Sequence, residues 1–332
     1  MGIAEELLSI MDGAMAQPDD AKGWLSSGHA PLNVMLTGDH NRGFGYGLMY
    51  EIYGPSQSGK TIIATNVMIE CQKAGGIAIL IDFERSFKPS LGANLGLKTT
   101  KPHLLHLYPR TWEEGMTKGM QLAMYIREKG LIKPEAPILM ITDSIAAAVP
   151  KSSMEKDLTE LNMNDTTALA RATSMTLKVI AARSPDIGLT SIFLNQIRTS
   201  PGVMFGDPTT TPGGKSMEFY ATARVVIGRK LVKKDKEVTG QTMTFKTVKN
   251  RITRPFKTSE LDLVWDEEGV PSFNFVGSLI EYLGDKGLLE KSGNMYVWDG
   301  KKRHKSALCE IIVAEGSQDK LTALLEEKAA AA

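Results

Sequence analysis

The chain has 332 residues, of which 42% are hydrophobic and 23% charged, a composition typical of an ordinary globular protein. Its net charge of +1 gives no overall electrostatic attraction for a polyanion such as a nucleic acid. Its two cysteines argue against a fold held together by disulfides. The N-terminus lacks the basic region of a secretion signal, and no apolar run approaches the roughly 18 residues of a membrane span, so we expect a cytoplasmic protein.

The predicted elements form one large α/β domain with a smaller piece at each end. Residues 1–16 carry apolar side chains at helical spacing, which predicts a short amphipathic helix. This helix would pack either on its own chain or on a neighbouring subunit. We therefore interpret residues 1–31 as an N-terminal oligomerisation segment.

Residues 32–272 are predicted to form the main domain. Near-continuous apolar runs alternate with helical patterns at 60–76 and 164–184, where Asn164 or Asp165 is the expected N-cap. Such runs are typical of buried parallel strands with helices on both faces of the sheet. The runs lie at residues 48–54, 77–84, 136–144 and 189–196.

After Ala221 the pattern changes to shorter strands separated by charged turns. Residues 224–232, 241–250 and 260–270 are predicted as antiparallel strands that extend the sheet. Residues 273–332 are predicted as a small α+β C-terminal domain, with a helix at 277–291, a hairpin at 294–301 and a final Glu/Lys/Ala-rich helix.

The stretch "GPSQSGKT" fits the pattern G-x-x-x-x-G-K-[ST] and lies between a predicted strand and a predicted helix. Glycines let such a loop direct its backbone N–H groups at phosphates, and the helix N-terminus adds partial positive charge. Lys60 would reach the β- and γ-phosphates and Thr61 would hold Mg²⁺. The predicted nucleotide-binding residues are Gly54, Pro55, Ser56, Gln57, Ser58, Gly59, Lys60 and Thr61.

Polar residues follow three other predicted strands. Asp143 ends the run "ILMITD" and is the expected second Mg²⁺ ligand. Glu84 follows "AILIDF" and is placed to activate water, because ligands bind at the carboxyl ends of parallel strands. Gln196, in "FLNQIR", could detect the γ-phosphate and transmit its presence to the following loop.

That loop, residues 198–216, contains four glycines and three prolines, with Arg198 and Lys215 near its ends and Met204 and Phe205 inside it. Long loops within domains are usually functional or disordered. Residues 198–260 hold 13 Lys+Arg against 5 Asp+Glu, so the nearly neutral chain contains a basic segment. A basic region beside a nucleotide sensor suggests binding of a nucleic-acid backbone.

Two other features carry weaker signals. His103 and His106 have no third metal ligand nearby in the sequence, which disfavours a metal site. Tryptophans such as Trp112, Trp265 and Trp298 are more often core residues than stacking platforms.

Together these stretches resemble the RecA family of homologous-recombination ATPases, including its phage members, over about residues 32–300. The resemblance rests on "EIYGPSQSGKT", "AILIDFE", "ILMITDSIAAAVPK", "FLNQIRTSPGVMFGDPTTTPGGKSMEFYA" and "VKNRITRPFK". The fourth stretch is the most specific, because other phosphate-loop ATPases share the first and the third.

The resemblance implies roles for residues on both sides of the nucleotide. Glu84 matches the family's water-activating glutamate, Asp143 its metal-binding aspartate, and Gln196 the glutamine that couples ATP to the DNA loop. Lys249 and Arg251 match the pair that reaches the ATP of a neighbouring subunit, so catalysis would require a filament.

The resemblance also implies a DNA-binding set. Residues 150–164 correspond to a first DNA loop and 198–216 to a second. Residues expected to contact DNA lie on the second loop and on the helix that follows the first loop: Arg171, Lys178, Arg198, Met204, Phe205, Gly213, Gly214 and Lys215.

Several positions depart from the family pattern. Lys88 and Leu91 replace an aspartate and an aromatic residue near the adenine, so base specificity is less firmly implied than phosphate binding. Lys215 replaces an asparagine and adds a possible phosphate contact, whereas Glu218 replaces an interface lysine. A short N-terminal segment and a tail without an acidic run suggest a phage-encoded member.

The sequence therefore predicts a DNA-dependent ATPase that uses ATP and Mg²⁺, forms helical filaments on single-stranded DNA and pairs that DNA with homologous duplex. Two alternatives stay open. One is a hexameric ring helicase built on the same core, and the other is a non-catalytic mediator that loads another recombinase.

Overall fold

A computed structural model describes residues 21–161, 165–199 and 209–329 of the chain. The helix predicted at 1–16 and the loop residues Met204 and Phe205 lie outside these described residues. No helix in the described part is long and apolar enough to cross a membrane.

The strands of the described residues are β1 (Trp24–Leu25), β2 (Phe44–Gly45), β3 (Met49–Gly54), β4 (Ile77–Asp82), β5 (Leu104–Leu107), β6 (Ile138–Asp143), β7 (Leu189–Gln196), β8 (Arg198–Thr199), β9 (Thr209–Thr210), β10 (Ala223–Lys234), β11 (Glu237–Asn250), β12 (Thr258–Trp265), β13 (Pro271–Asn274), β14 (Lys291–Ser292), β15 (Met295–Trp298) and β16 (Lys301–His304). The α-helices are α1 (Ala30–Thr37), α2 (Lys60–Lys73), α3 (Pro89–Asn94), α4 (Trp112–Glu128), α5 (Lys151–Met154), α6 (Asp165–Ile187), α7 (Ser216–Tyr220), α8 (Phe275–Asp285), α9 (Lys305–Glu315) and α10 (Gln318–Ala329).

Nine strands form the central sheet, in the order β13-β12-β11-β10-β3-β7-β6-β4-β5. The strands from β10 to β5 are parallel to one another, and β11, β12 and β13 continue the sheet in antiparallel fashion. This arrangement confirms the predicted fold class, a mostly parallel sheet with an antiparallel extension. It also brings the carboxyl ends of β3, β7, β6 and β4 next to each other at one edge.

Helices cover both faces of this sheet because the parallel strands are apolar on both sides. In β3, Tyr50 and Ile52 point into a core shared with α1 and α2, whereas Met49 points into the core on the other face. That second core includes Trp112 from α4 and Leu177 from α6.

A third apolar cluster lies in the C-terminal part of the chain, where α8, β15, α9 and α10 pack together. Its buried members include Ile280, Trp298, Leu308 and Leu321. The domain boundary near residue 273 stays a prediction.

The element predictions needed correction at several places. The helix predicted at 277–291 ends at Asp285, because Gly287 has φ +67 and turns the chain toward β14. The long helix α6 instead runs past its predicted end to Ile187, with Pro185 in its last turn. The strand β5 and the helices α1, α4 and α9 were not predicted.

Candidate functional site

The loop that joins β3 to α2 has two glycines that no other residue could replace without strain. A Cβ on Gly54 would lie 2.2 Å from the carbonyl oxygen of Ile227, and one on Gly59 would lie 2.4 Å from Sδ of Met243. Gly59 also has φ +93 and, as the N-cap of α2, offers no side-chain cap to the helix. The first amides of α2 are therefore available to an anion such as a phosphate.

Lys60 lies in the first turn of α2 and folds back over this loop. Its Nζ donates to the carbonyl oxygens of Gly54 at 3.0 Å and Pro55 at 2.7 Å. Burial lowers the pKa of Lys60, and the nearby carboxylates of Asp143 and Glu84 oppose that shift. The ammonium group of Lys60 is thus held beside the loop, where a bound phosphate would compete with these two carbonyl oxygens for its hydrogen bonds.

Thr61 and Asp143 meet although 82 residues separate them in sequence. Thr61 Oγ1 donates to Asp143 Oδ2 at 2.6 Å, and Asp143 is 2% exposed. Burial raises the pKa of Asp143 to about 6; the charge of Glu84 adds to this shift and the Thr61 hydrogen bond opposes it. A hydroxyl and a poorly solvated carboxylate at one point fit a hard cation such as Mg²⁺.

Glu84 lies two residues beyond β4 and contacts the ends of two other strands. Its Oε1 accepts hydrogen bonds from Ser144 Oγ at 2.5 Å and from Gln196 Nε2 at 3.1 Å. Beside an anion cradle and a cation site, this carboxylate can orient and deprotonate a water molecule. The arrangement suits metal-assisted attack of water on a phosphoryl group.

The antiparallel extension forms the other wall of a cleft of about 450 Å³ over the loop. Arg229 on β10 donates from Nη1 to both the carbonyl oxygen and Oε1 of Gln57, each at 3.2 Å. Gln241 and the partly buried Trp265 also line this cleft. Sequence reasoning missed Arg229 and Gln241, since nothing local in a strand indicates which face lies over a distant loop.

The tryptophan predictions have mixed outcomes. Trp112 and Trp298 are buried, as expected of core residues. Trp265 packs against the core and also borders the cleft.

Glu51 is the centre of a buried polar cluster inside the sheet, next to the site. It is fully buried, and its carboxylate accepts from Arg224 Nε at 2.5 Å and from Asn195 Nδ2 at 2.9 Å. Asn195 also donates to the carbonyl oxygen of Pro212 at 2.9 Å, and Arg224 donates to Thr211. The residue before Gln196 is therefore joined to the far end of the 198–216 loop.

Lys249 and Arg251 lie away from the cleft of their own chain. Lys249 Nζ donates to the carbonyl oxygens of Glu218 and Phe219, and Arg251 Nη2 donates to that of Phe219 at 2.6 Å. The amide of Arg251 donates to Thr222 O, and the amide of Thr222 donates to Met49 O at the start of β3. Lys249 is in register with Arg224 on β10, and Arg224 with Glu51 on β3, so Lys249 lies two strands from β3, and neither cation lines the cleft over the loop.

The positions expected to bind DNA fall mainly on α6 and on the return of the second loop. Arg171 and Lys178 are exposed on α6, Arg198 pairs with Thr210 in the β8–β9 ribbon, and Lys215 is exposed. Gly213 and Gly214 pack closely on their neighbours. A Cβ added to Gly213 would lie 2.8 Å from the side chain of Ile145, and one added to Gly214 would lie 3.0 Å from Cβ of Ala170. This contact brings the loop return onto α6, one residue from Arg171.

Comparisons with known proteins agree with these features. A family model for the RecA N-terminal domain matches residues 9–270. Protein RecA of Corynebacterium jeikeium is 35% identical over 277 residues, covering 83% of this chain and 68% of that protein. Protein RecA of Corynebacterium efficiens is 34% identical over 83% of this chain and 66% of its own length, and that of Tropheryma whipplei is 34% identical over 94% and 70%.

Proposed function

This chain belongs to the RecA family, and from that premise we propose that it is a DNA-dependent ATPase that polymerises on single-stranded DNA and catalyses homologous pairing and strand exchange. Its nucleotide is ATP and its metal is Mg²⁺. The observation that carries the proposal is the meeting of four strand ends around the glycine loop, with Thr61 bonded to Asp143 and Glu84 bonded to Gln196.

Each side chain of the site has a specific task in hydrolysis. The amides of α2 and Lys60 hold the phosphates, while Thr61 and Asp143 hold Mg²⁺, which when bound neutralises developing charge on the phosphates. Glu84 orients the attacking water and takes its proton.

Gln196 links hydrolysis to the DNA loop. It donates to Glu84, and its neighbour Asn195 holds Pro212 at the return of the loop. A γ-phosphate that drew the Gln196 amide away from Glu84 would move this strand end and, through Asn195, the loop.

Lys249 and Arg251 act on the ATP of the adjacent subunit. Their position outside the cleft of their own chain supports action in trans, as does the exposed Phe219, which presents an apolar side chain beside the two cations. ATP would therefore lie between subunits, and hydrolysis would need a filament.

DNA binding uses the basic face of α6 and the second loop. Arg171, Lys178 and Lys215 are exposed and contact phosphates, and the close packing of Gly213 and Gly214 on α6 lets the backbone approach the strand. Met204 and Phe205 contribute apolar contacts in this proposal.

We further propose that the chain is divided into segments 1–31, 32–272 and 273–332 and that the protein is cytoplasmic.

The test is the variant Lys60→Ala. We expect it to lose ATP hydrolysis and nucleotide-dependent binding of single-stranded DNA, because the phosphates lose their cation. Lys73→Ala is the matched control, since Lys73 lies at the other end of the same helix in an exposed pair with Glu70. Wild-type strand exchange by Lys60→Ala would refute the assignment of the phosphate loop.

Further assays separate the alternatives. Electron microscopy with single-stranded DNA and a non-hydrolysable ATP analogue should reveal helical filaments, whereas closed rings and duplex unwinding without homology would indicate a helicase. Absence of DNA-stimulated hydrolysis by the wild-type chain would instead indicate a mediator.

A further inference from the structure

His106 lies on the edge strand β5, whereas His103 lies in the turn just before that strand. No group of three or more His, Cys, Asp or Glu side chains that could hold a metal occurs among the described residues. His106 nevertheless has a specific partner, because its Nε2 lies 3.2 Å from Oδ2 of Asp82 on the neighbouring strand β4.

Asp82 is the last residue of β4 and is fully buried. Its Oδ2 also accepts from the amide of Phe87 at 3.3 Å, so one carboxylate oxygen joins β5 to the turn at residues 83–87. Burial by itself would raise the pKa of Asp82, but hydrogen bonds from His106 and the turn amides outweigh it and leave this pKa below its usual value. The carboxylate is therefore held charged inside the turn.

Glu84 lies in the middle of this turn. The amides of Phe83 and Glu84 donate to the carbonyl oxygen of Asp143 at 2.7 and 3.2 Å, which fixes the first half of the turn. The second half, where Arg85 has φ +54, is fixed by Asp82. The position of the Glu84 carboxylate thus depends on both anchors.

His106 is itself well packed. Its ring lies edge-on to Phe87 at 5.3 Å, and its Nδ1 is 3.1 Å from the hydroxyl of Tyr108. With Nε2 donating to Asp82, a neutral imidazole accepts from Tyr108 at Nδ1, so both partners favour one tautomer.

We propose that His106 is a positioning residue for ATP hydrolysis, which holds Asp82 and through it the turn that presents Glu84. This inference rests on the proposed role of Glu84. It adds a contact from the edge strand β5 that neither the phosphate loop nor the metal ligands supply.

The experiment compares His106→Leu with His106→Gln in the full chain, by steady-state ATP hydrolysis on single-stranded DNA. His106→Leu should lower kcat about 10-fold with little change in KM for ATP, since the phosphate contacts remain. His106→Gln should restore most of kcat, because its amide N–H can reach Asp82. A purely structural role would not distinguish the two variants once both are shown to be folded.

Two controls make the outcome decisive. His103→Leu alters the histidine just before β5 and should leave kcat unchanged. Tyr108→Phe removes only the hydroxyl at Nδ1, and a two- to three-fold loss is expected even if His106→Leu folds poorly.

Several results would overturn the inference. If Glu84→Ala is inactive, either of two results would refute the inference about His106. One is a wild-type kcat in His106→Leu, and the other is an equal loss of kcat in His106→Leu and His106→Gln. If Glu84→Ala kept wild-type kcat, the proposed catalytic role of Glu84 would fail, and this inference with it.

Discussion

At the scale of residues, three polar groups of the site, Glu84, Asp143 and Gln196, end a parallel strand or follow one by two residues. Gly54, Asp143 and Gln196 end their strands, and Glu84 lies just beyond β4. Because adjacent parallel strands end at one edge, their sequence positions were enough to predict that these residues meet. The individual hydrogen bonds, such as Thr61 to Asp143, needed the three-dimensional structure.

Lys249 gives a pH prediction at this scale. Burial lowers the pKa of Lys249 to about 8, and the positive charges of Arg251 and Arg224 act in the same direction. The ammonium is charged below this pH and neutral above it, so filament-dependent ATP hydrolysis should fall as the pH rises through about 8. Lys249→Arg should move that fall to higher pH, because a guanidinium stays protonated.

Deprotonation of Lys249 does not destabilise the folded chain, so its effect on stability would not explain the fall in ATP hydrolysis. Since the folded pKa of Lys249 is below the ordinary lysine value of 10.5, the unfolded chain binds more protons between about pH 8 and 10.5, and this group's contribution to stability rises with pH there. Identical pH profiles for wild type and Lys249→Arg would contradict the proposed role in trans.

At the scale of elements, the Glu51 cluster joins three adjacent strands and the return of the second loop. Glu51 is on β3, Asn195 on β7 and Arg224 on β10, and the guanidinium also lies 4.9 Å from the ring centre of Tyr53. A buried carboxylate is tolerated here because every partner is close and the pair is charge-balanced. The cluster therefore fixes where the loop re-enters the sheet.

The corresponding prediction concerns stability. Glu51→Gln leaves Arg224, 12% exposed, with only the more exposed Glu218 as a counter-charge and should lower the free energy of unfolding by about 3 kcal/mol. Glu260→Gln is the matched control: it breaks the exposed pair with Lys230 and should change stability by less than about 1 kcal/mol. Urea denaturation measures both, and equal effects would show that the Glu51 pair is not desolvated.

At the scale of the whole molecule, a net charge of +1 conceals an uneven distribution. Residues 198–260 contain 13 Lys+Arg against 5 Asp+Glu, and the fold sets the end of the second loop against α6, which exposes Arg171 and Lys178. Such a surface should bind single-stranded DNA mainly through phosphates, with an affinity that falls steeply as salt rises.

A substitution at Lys215 tests whether this basic surface contacts DNA phosphates. If it contacts a phosphate, Lys215→Ala should weaken binding of all sequences alike and reduce the slope of log K against log salt by about 0.7. Lys133→Ala, at an exposed lysine in the loop before β6, should leave the slope unchanged. Fluorescence anisotropy at several salt concentrations measures the slopes, and an unchanged slope for Lys215→Ala would remove this residue from the DNA surface.

Errors in the element predictions have physical causes. The strand β5, "LLHL", is short and lies at the sheet edge, where only Leu104 is buried, so it lacks the long apolar run of a central strand. The helix α4 did carry a local signal, since Thr111 caps it by accepting from the amide of Glu114. Leu288 and Leu289 continued the apolar pattern of α8 past Gly287, which made that helix seem longer than it is.

The sequence by itself determined the fold class, the phosphate loop and the polar strand ends, because apolar runs, glycine spacing and capping are local properties of the chain. Tertiary structure alone decided which side chains touch: Thr61 with Asp143, Glu51 with Arg224, and His106 with Asp82. Those pairs depend on the order of strands and on the sheet face each residue occupies. Strand order is selected by packing of the whole core, which no local pattern of residues encodes.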